Sequence, residues 1–175
     1  MADLKVFTDG HEPKTICYLI RKNKSGQNEI LLAKHRKQGK RNGVGGKVGD
    51  KEAWKDETIE EGAIREVREE LGVEVKDMVE RGIVNFIFEM NGKLEKVCGH
   101  IFFITKWEGE PQGIEVDDPQ WFSIDSIPWE ELWENDKEWL QPLLDNEFGF
   151  LEAEYDFGRT SDEKVAAVNY FKWRV

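Results

Sequence analysis

Apolar residues along this chain follow two different periods. TICYLIRK (15–22) and NEILLAKH (28–35) are dense in β-branched and aliphatic residues, and the NKSGQ between them carries turn residues. The pair therefore predicts a β-hairpin. The glycine-rich NGVGGKVGD (42–50) predicts a loop. ETIEEGAIREVREELG (57–72) then changes to the helical period. Its Ala63, Ile64, Val67 and Leu71 share one face, and Gly72 supplies a stop. RGIVNFIFEM (81–90) and EKVCGHIFFITKW (95–107) return to strand character around a turn at Asn91-Gly92. PQWFSID (119–125) predicts a shorter strand. IPWEELWEND (127–136) and KEWLQPLLDN (137–146) predict helices starting near Pro128 and Asp136, and GFLEAEYDF and AAVNYFKWRV in the tail predict two more strands. Strands dominate and do not alternate regularly with helices. The expected architecture is α+β, an αβα sandwich with a mixed sheet between helices, in a single domain over residues 1–175.

Composition narrows the function classes. Seven Trp and ten Phe among 39% hydrophobic residues can supply a sizeable core. No apolar run approaches the roughly 18 residues needed to cross a bilayer. MADLKVFTDGHEPK at the N-terminus lacks the apolar stretch of a secretory signal, so a cytoplasmic location is expected. Cys17 and Cys98 stand far apart without a CxxC pattern and are expected to be small buried residues, not a disulfide or a zinc site. The formal charge of −11 argues against a nucleic-acid polymer or an anionic membrane as partner. A small anion is still acceptable where divalent cations lie between two sets of negative charge.

The densest chemistry is REVREELGV (65–73), where Glu66, Glu69 and Glu70 crowd into five positions. At about 100° per residue they fall within an arc of roughly 100°, beside the apolar face and not opposite it. Like charges at this spacing repel and cost helix stability. Either Arg65 and Arg68 relieve a solvated charged face, or a hard divalent cation draws the carboxylates together.

The stretch GGKVGDKEAWKDETIEEGAIREVREELGV (45–73) resembles the signature of the Nudix hydrolase family. That signature is a glycine, five residues, a glutamate, seven residues and then R-E-U-x-E-E-x-G-U, with U aliphatic. Glu57, seven intervening residues and Arg65 through Val73 match without a gap. The position of the first glycine is Lys51. Its equivalent is Gly46, which implies five extra residues around DKEAWKD; pairing Gly46 with Glu52 restores the first gap but spoils the second. The resemblance implies Mg²⁺- or Mn²⁺-dependent cleavage of a diphosphate linked to another moiety, usually a nucleoside. It implies Glu66, Glu69, Glu70 and the backbone carbonyl of Gly46 as metal ligands, Arg65 orienting the carboxylates, and Glu66 or Glu69 as base. Glu115, Asp117 and Asp118 are candidates for a further acid at the metal. KHRKQGKR (34–41), with Lys34, Arg36, Lys37, Lys40 and Arg41, either guides phosphates, with Lys47 closer in, or is an exposed hairpin end.

NGVGGKV (42–48) and IPWEELWENDKEWLQPLL (127–144) add a narrower resemblance, to the MutT-type enzymes that sanitise the nucleotide pool. It implies that Asn42 reads the base, that Trp133 stacks on it, and that two acids after the tryptophan bond its edge. Here those positions are Asn135 and Asp136, so the first acid has become an amide. The alternative for Trp133 is packing on an amphipathic helix beside Trp129 and Leu132. The implied reaction is hydrolysis of a purine nucleoside triphosphate, such as 8-oxo-dGTP, to a monophosphate and diphosphate, by a monomer or small homo-oligomer. Alternatives are a hydrolase of ADP-ribose, dinucleoside polyphosphates or another nucleoside diphosphate derivative, and a non-catalytic nucleotide-binding regulator.

Overall fold

The structure is a computed structural model that describes residues 8–146, 149–157 and 167–174. Its centre is β1 (Glu12–Lys22), which pairs antiparallel with β2 (Asn28–Lys34) and parallel with β5 (Lys93–Glu108). β2 also carries β3 (Arg41–Asn42) and β6 (Asp117–Ser123). Beyond β5 come β4 (Glu74–Met90), β7 (Phe150–Asp156) and β8 (Ala167–Arg174), giving the order β3-β2-β1-β5-β4-β7-β8. Parallel and antiparallel neighbours are mixed, as the sequence predicts.

Strand alternation builds two cores. Tyr18, Ile30, Leu32, Ile101 and Phe103 face one way and pack with Trp139, Leu140 and Leu143 of α2 (Asp136–Asp145). Their neighbours Cys17, Leu19, Leu31, Ala33, Phe102 and Ile104 face the other way, towards Ala63, Val67 and Leu71 of α1 (Ile59–Leu71). Because successive strand side chains point to opposite faces, one sheet seats a helix on each side. Cys17 and Cys98 are buried free thiols, as expected. Among the described residues, no helix is long and apolar enough to cross a membrane.

Local chemistry explains the boundaries of α1. Thr58 accepts from the Glu61 N–H, and the Glu61 carboxylate accepts from the Thr58 N–H, closing a capping box. Gly72 ends the helix at φ 70°, a left-handed conformation that costs glycine little. Ile64 is only half-buried, and Gly62 takes a place in the core face instead. The Asn91-Gly92 turn joins β4 and β5 as predicted, with both residues at positive φ.

Two boundaries differ from the sequence expectation. β4 begins at Glu74 and not at 81, because β5 pairs with it over nearly its whole length and sustains a polar, half-exposed extension. The 127–136 segment is not an α-helix. A single 3₁₀ turn, Trp129–Glu131, stops where Leu132 becomes extended and inserts into the core. The Asp136 carboxylate then accepts from the Trp133 N–H at 3.2 Å and starts a separate helix. The two tail strands are present as predicted.

Leu71 is fully buried at the end of α1. Leu71→Ala is expected to cost about 2–5 kcal/mol of stability, read from urea unfolding midpoints, because it leaves a cavity between helix and sheet.

Candidate active site

The glycine loop after β3 runs antiparallel beside β1. Cys17 and Val44 exchange backbone hydrogen bonds at 2.6 and 3.0 Å, and the Thr15 N–H donates to the Gly46 carbonyl at 2.9 Å. This closeness requires glycine. At Gly45, whose φ is 149°, a Cβ would sit 2.1 Å from the Thr15 carbonyl oxygen. At Gly46 a Cβ would sit 2.6 Å from the Glu66 carboxyl carbon. The loop is thereby brought against the acidic side of α1.

Arg65 organises that side. Its Nε and Nη2 donate to the two oxygens of Glu57 at 2.7 and 3.0 Å, a two-pronged pairing. Its Nη1 donates to Glu66 at 2.7 Å and to Glu69 at 3.0 Å, and its Nη2 also reaches the Lys47 carbonyl. The Trp54 ring lies 3.9 Å from the guanidinium, so the residues extra to the family signature roof this cation. Glu57, pulled below the usual carboxylate range by Arg65, also accepts from the Gly49 N–H. It therefore orients the arginine.

Glu70 is held by the Gly45 N–H at 2.7 Å. Burial lifts its carboxyl to about 7, with the charges of Glu66, Glu115 and Glu69 adding to the rise. Burial likewise raises Glu66, against the pull of Arg65. Of the three outlying acids, Glu115 is the one whose charge is felt by Glu70. Asp117 pairs with Arg36, and Asp118 with Arg41 and Lys34. Lys34, Arg36 and Arg41 of the basic run are thus occupied with this loop and with Glu131, and Arg41 is buried between Asp118 and Glu131. The Lys47 ammonium is held by Glu12 at 2.6 Å.

Among the described residues, no three His, Cys, Asp or Glu side chains form a finished metal cage. Arg65 bridges Glu66 and Glu69 in the arrangement seen here. The donor set nevertheless fits a hard divalent cation. It consists of oxygens only, burial disfavours the uncompensated charges of Glu66 and Glu70, and the Gly46 backbone approaches Glu66 with no side chain between.

A second group of polar residues gathers at the other end of the loop. The Asn42 Oδ1 accepts from the Tyr18 hydroxyl and from the Gly43 N–H. Tyr18 lies within electrostatic reach of Asp136 and packs against Trp139. Asp136 is 3% exposed, and burial lifts its carboxyl to about 7, although the Trp133 N–H favours its charged form. The Trp139 indole N–H also favours that form, but makes no hydrogen bond of normal geometry. Trp133 is 46% exposed, which excludes the core-packing alternative for its ring. Asn135 is buried beside Asp136, and its amide donates to Glu138 at 3.1 Å. The structure so brings Asn42 and Asp136 together around Tyr18, with Trp133 attached to Asp136. Sequence reading did not single out Tyr18 or Trp54. Tyr18 sits inside an apolar strand, and only the β1–loop contact reveals its partner. Trp54 stood out as part of an insertion, but nothing in the pattern assigns it to Arg65.

A NUDIX domain family model matches residues 10–143. Over 106 residues the chain is 42% identical to the oxidized purine nucleoside triphosphate hydrolase of Danio rerio and 41% identical to that of Mus musculus. Each match covers 61% of this chain and 64% of the relative, so the chain spans just under two thirds of the length of these curated relatives. Among solved structures, the MutT protein from Bacillus halodurans superposes with a TM-score of 0.70 at 22% identity, over 93% of this chain and 97% of that one. That likeness is one of fold. The MutT NUDIX hydrolase from Burkholderia pseudomallei gives a TM-score of 0.53 at 27% identity, over 67% and 88%.

The buried Asp136 predicts a pH dependence of stability. Its folded-state value of about 7 lies above the ordinary 3.8, so the fold favours the neutral acid. Its contribution is fully present below pH 3.8 and is lost as pH rises towards 7, by roughly 4 kcal/mol at most. Asp136→Asn removes this dependence. Urea unfolding from pH 5 to 8 should show the parent losing stability relative to the variant as pH rises. A constant difference would mean that Asp136 is not desolvated.

Proposed function

The chain belongs to the Nudix family, and on that premise we propose that it is a Mg²⁺-dependent pyrophosphohydrolase of purine nucleoside triphosphates, oxidised purines such as 8-oxo-dGTP included. Its products are a nucleoside monophosphate and diphosphate. One observation carries the reading: the loop from Asn42 to Gly46 links two chemically distinct ends. At one end Asn42 meets Tyr18 near Asp136; at the other Gly45 and Gly46 meet Glu70 and Glu66. Four residues span at most roughly 14 Å. A nucleotide with its base at the first end can therefore reach the carboxylates with its phosphates. The names of the 41–42% identical relatives point to the same substrate class.

Glu66, Glu69, Glu70 and the Gly46 carbonyl would hold the cation. When bound, the cation neutralises phosphate charge and makes a coordinated water easier to deprotonate. The protein's own residues prepare the site. Glu57 and Trp54 fix the Arg65 guanidinium, Arg65 holds Glu66 and Glu69, and the Gly45 N–H holds Glu70. At the base end, the exposed Trp133 indole offers a stacking face. Asn42, Asn135 and Asp136 supply hydrogen-bonding groups for a purine edge.

Glu69→Gln and Glu70→Gln each keep the shape and remove one negative oxygen donor. Turnover should fall by orders of magnitude in a Mg²⁺-supplemented panel that detects diphosphate and orthophosphate separately, while the circular dichroism spectrum is unchanged. Near-normal turnover in both variants at low Mg²⁺ would remove the carboxylates from the metal site.

Trp133→Ala removes a stacking surface worth on the order of 1–3 kcal/mol in base–aromatic contacts. KM for purine triphosphates should rise about tenfold or more, with Mg²⁺ affinity unchanged. An unchanged KM would place the base elsewhere.

A further inference from the structure

Tyr18 helps to set what Asn42 can recognise, a role that rests on that reading of the base pocket. A carboxamide can normally present either its oxygen or its NH₂ to a ligand by a half-turn of the side chain. Here that choice is removed. A backbone N–H only donates, so the atom facing the Gly43 N–H at 2.7 Å is the carboxamide oxygen. The Tyr18 hydroxyl donates to the same oxygen from the sheet side. With both partners on Oδ1, Nδ2 is left to face outward. We infer that Tyr18, together with the Gly43 N–H, makes Asn42 a fixed donor, so that the base atom opposite it must be an acceptor, a ring nitrogen or a carbonyl oxygen.

The surroundings keep the lock in place. Tyr18 is fully buried, packed edge-on against Phe103 and tilted against Trp139, so its ring has no room to swing away. A Cβ at Gly43 would come within 2.9 Å of the Tyr18 ring, so the loop is seated directly on it. Burial and the neighbouring Asp136 both keep the phenol protonated, and it donates throughout the neutral range. Asp136 differs. Its carboxyl, near 7, is a donor when protonated and an acceptor when not. The pocket thus combines one reader of fixed polarity with one of variable polarity, and Tyr18 stands between them. Tyr18 is a positioning residue, because it acts on the base through Asn42.

A double-mutant cycle tests this. Tyr18→Phe keeps the ring and its packing but removes the hydroxyl, and Asn42→Ala removes the carboxamide. Steady-state hydrolysis of 8-oxo-dGTP, dGTP and dATP is measured in the parent, both single variants and the double variant. In the parent background Tyr18→Phe should raise KM by about tenfold, the weight of one buried hydrogen bond, with kcat within about twofold. It should also shift the kcat/KM ratios among the three substrates. In the Asn42→Ala background the same substitution should leave KM and the ratios unchanged. An equal effect in both backgrounds would overturn the proposal, since Tyr18 would then act through packing alone. A fall in kcat with KM unchanged would also overturn it. If Asn42→Ala itself leaves KM and the ratios unmoved, the base-pocket reading fails and the role of Tyr18 falls with it.

Discussion

The guanidinium of Arg65 draws Glu57, Glu66 and Glu69 together on the acidic side of α1. It pairs with Glu57 through two nitrogens and with Glu66 and Glu69 through the third. Carboxylates at this spacing repel one another, and burial raises Glu66 and Glu70 further. For Glu66 a partly buried cation offsets both penalties at once. A planar, five-donor group suits that task better than an ammonium would. The inserted segment 50–56 adds the Trp54 ring over the guanidinium, and Lys51 lies 4.2 Å from the same ring. The extra residues thus strengthen the organising cation and leave the helix undisturbed.

The second constraint is backbone proximity. β1 carries the glycine loop on one side of its path and packs with β5 on the other. Thr15, Cys17 and Tyr18 therefore sit within one strand yet serve different ends of the site. Thr15 holds Gly46 beside the carboxylates, Cys17 ties down Val44, and Tyr18 bonds Asn42. Strand periodicity separates them further, since Cys17 belongs to the core under α1 and Tyr18 to the core under α2. One strand thereby couples the carboxylate side of the sheet to the side that carries Asn42 and Asp136.

The Asp136 end of the loop is built at a cost in stability. A carboxyl buried like that of Asp136 favours its neutral form, and near neutral pH much of that preference is opposed by solution. An apolar residue there would avoid the cost. What the acid supplies in return is a hydrogen-bonding group of changeable polarity beside an exposed indole. Strain of this kind is common where a protein binds rather than merely folds.

Much of this was legible in the sequence because it depends on local spacing. The apolar period of 57–72 defined α1, its Gly72 stop and the rim position of Glu66, Glu69 and Glu70, all consequences of 3.6 residues per turn. Asn91-Gly92 marked its hairpin, since few dipeptides accept positive φ twice. Tertiary structure decided the rest. Whether 127–136 continued as a helix depended on the core's demand for Leu132 and on the reach of Arg41 to Glu131, contacts from far along the chain. The basic run at 34–41 read either as a guide for phosphates or as an exposed hairpin end, and only the fold set Asp117, Asp118 and Glu131 beside it. Glu57 and Trp54 acquired their roles only when the loop folded back onto Arg65, and Tyr18 only when the Asn42 side chain was brought against it. A side chain's type and period are local properties, whereas its partner is fixed by chain closure over tens of residues, and no periodicity encodes that.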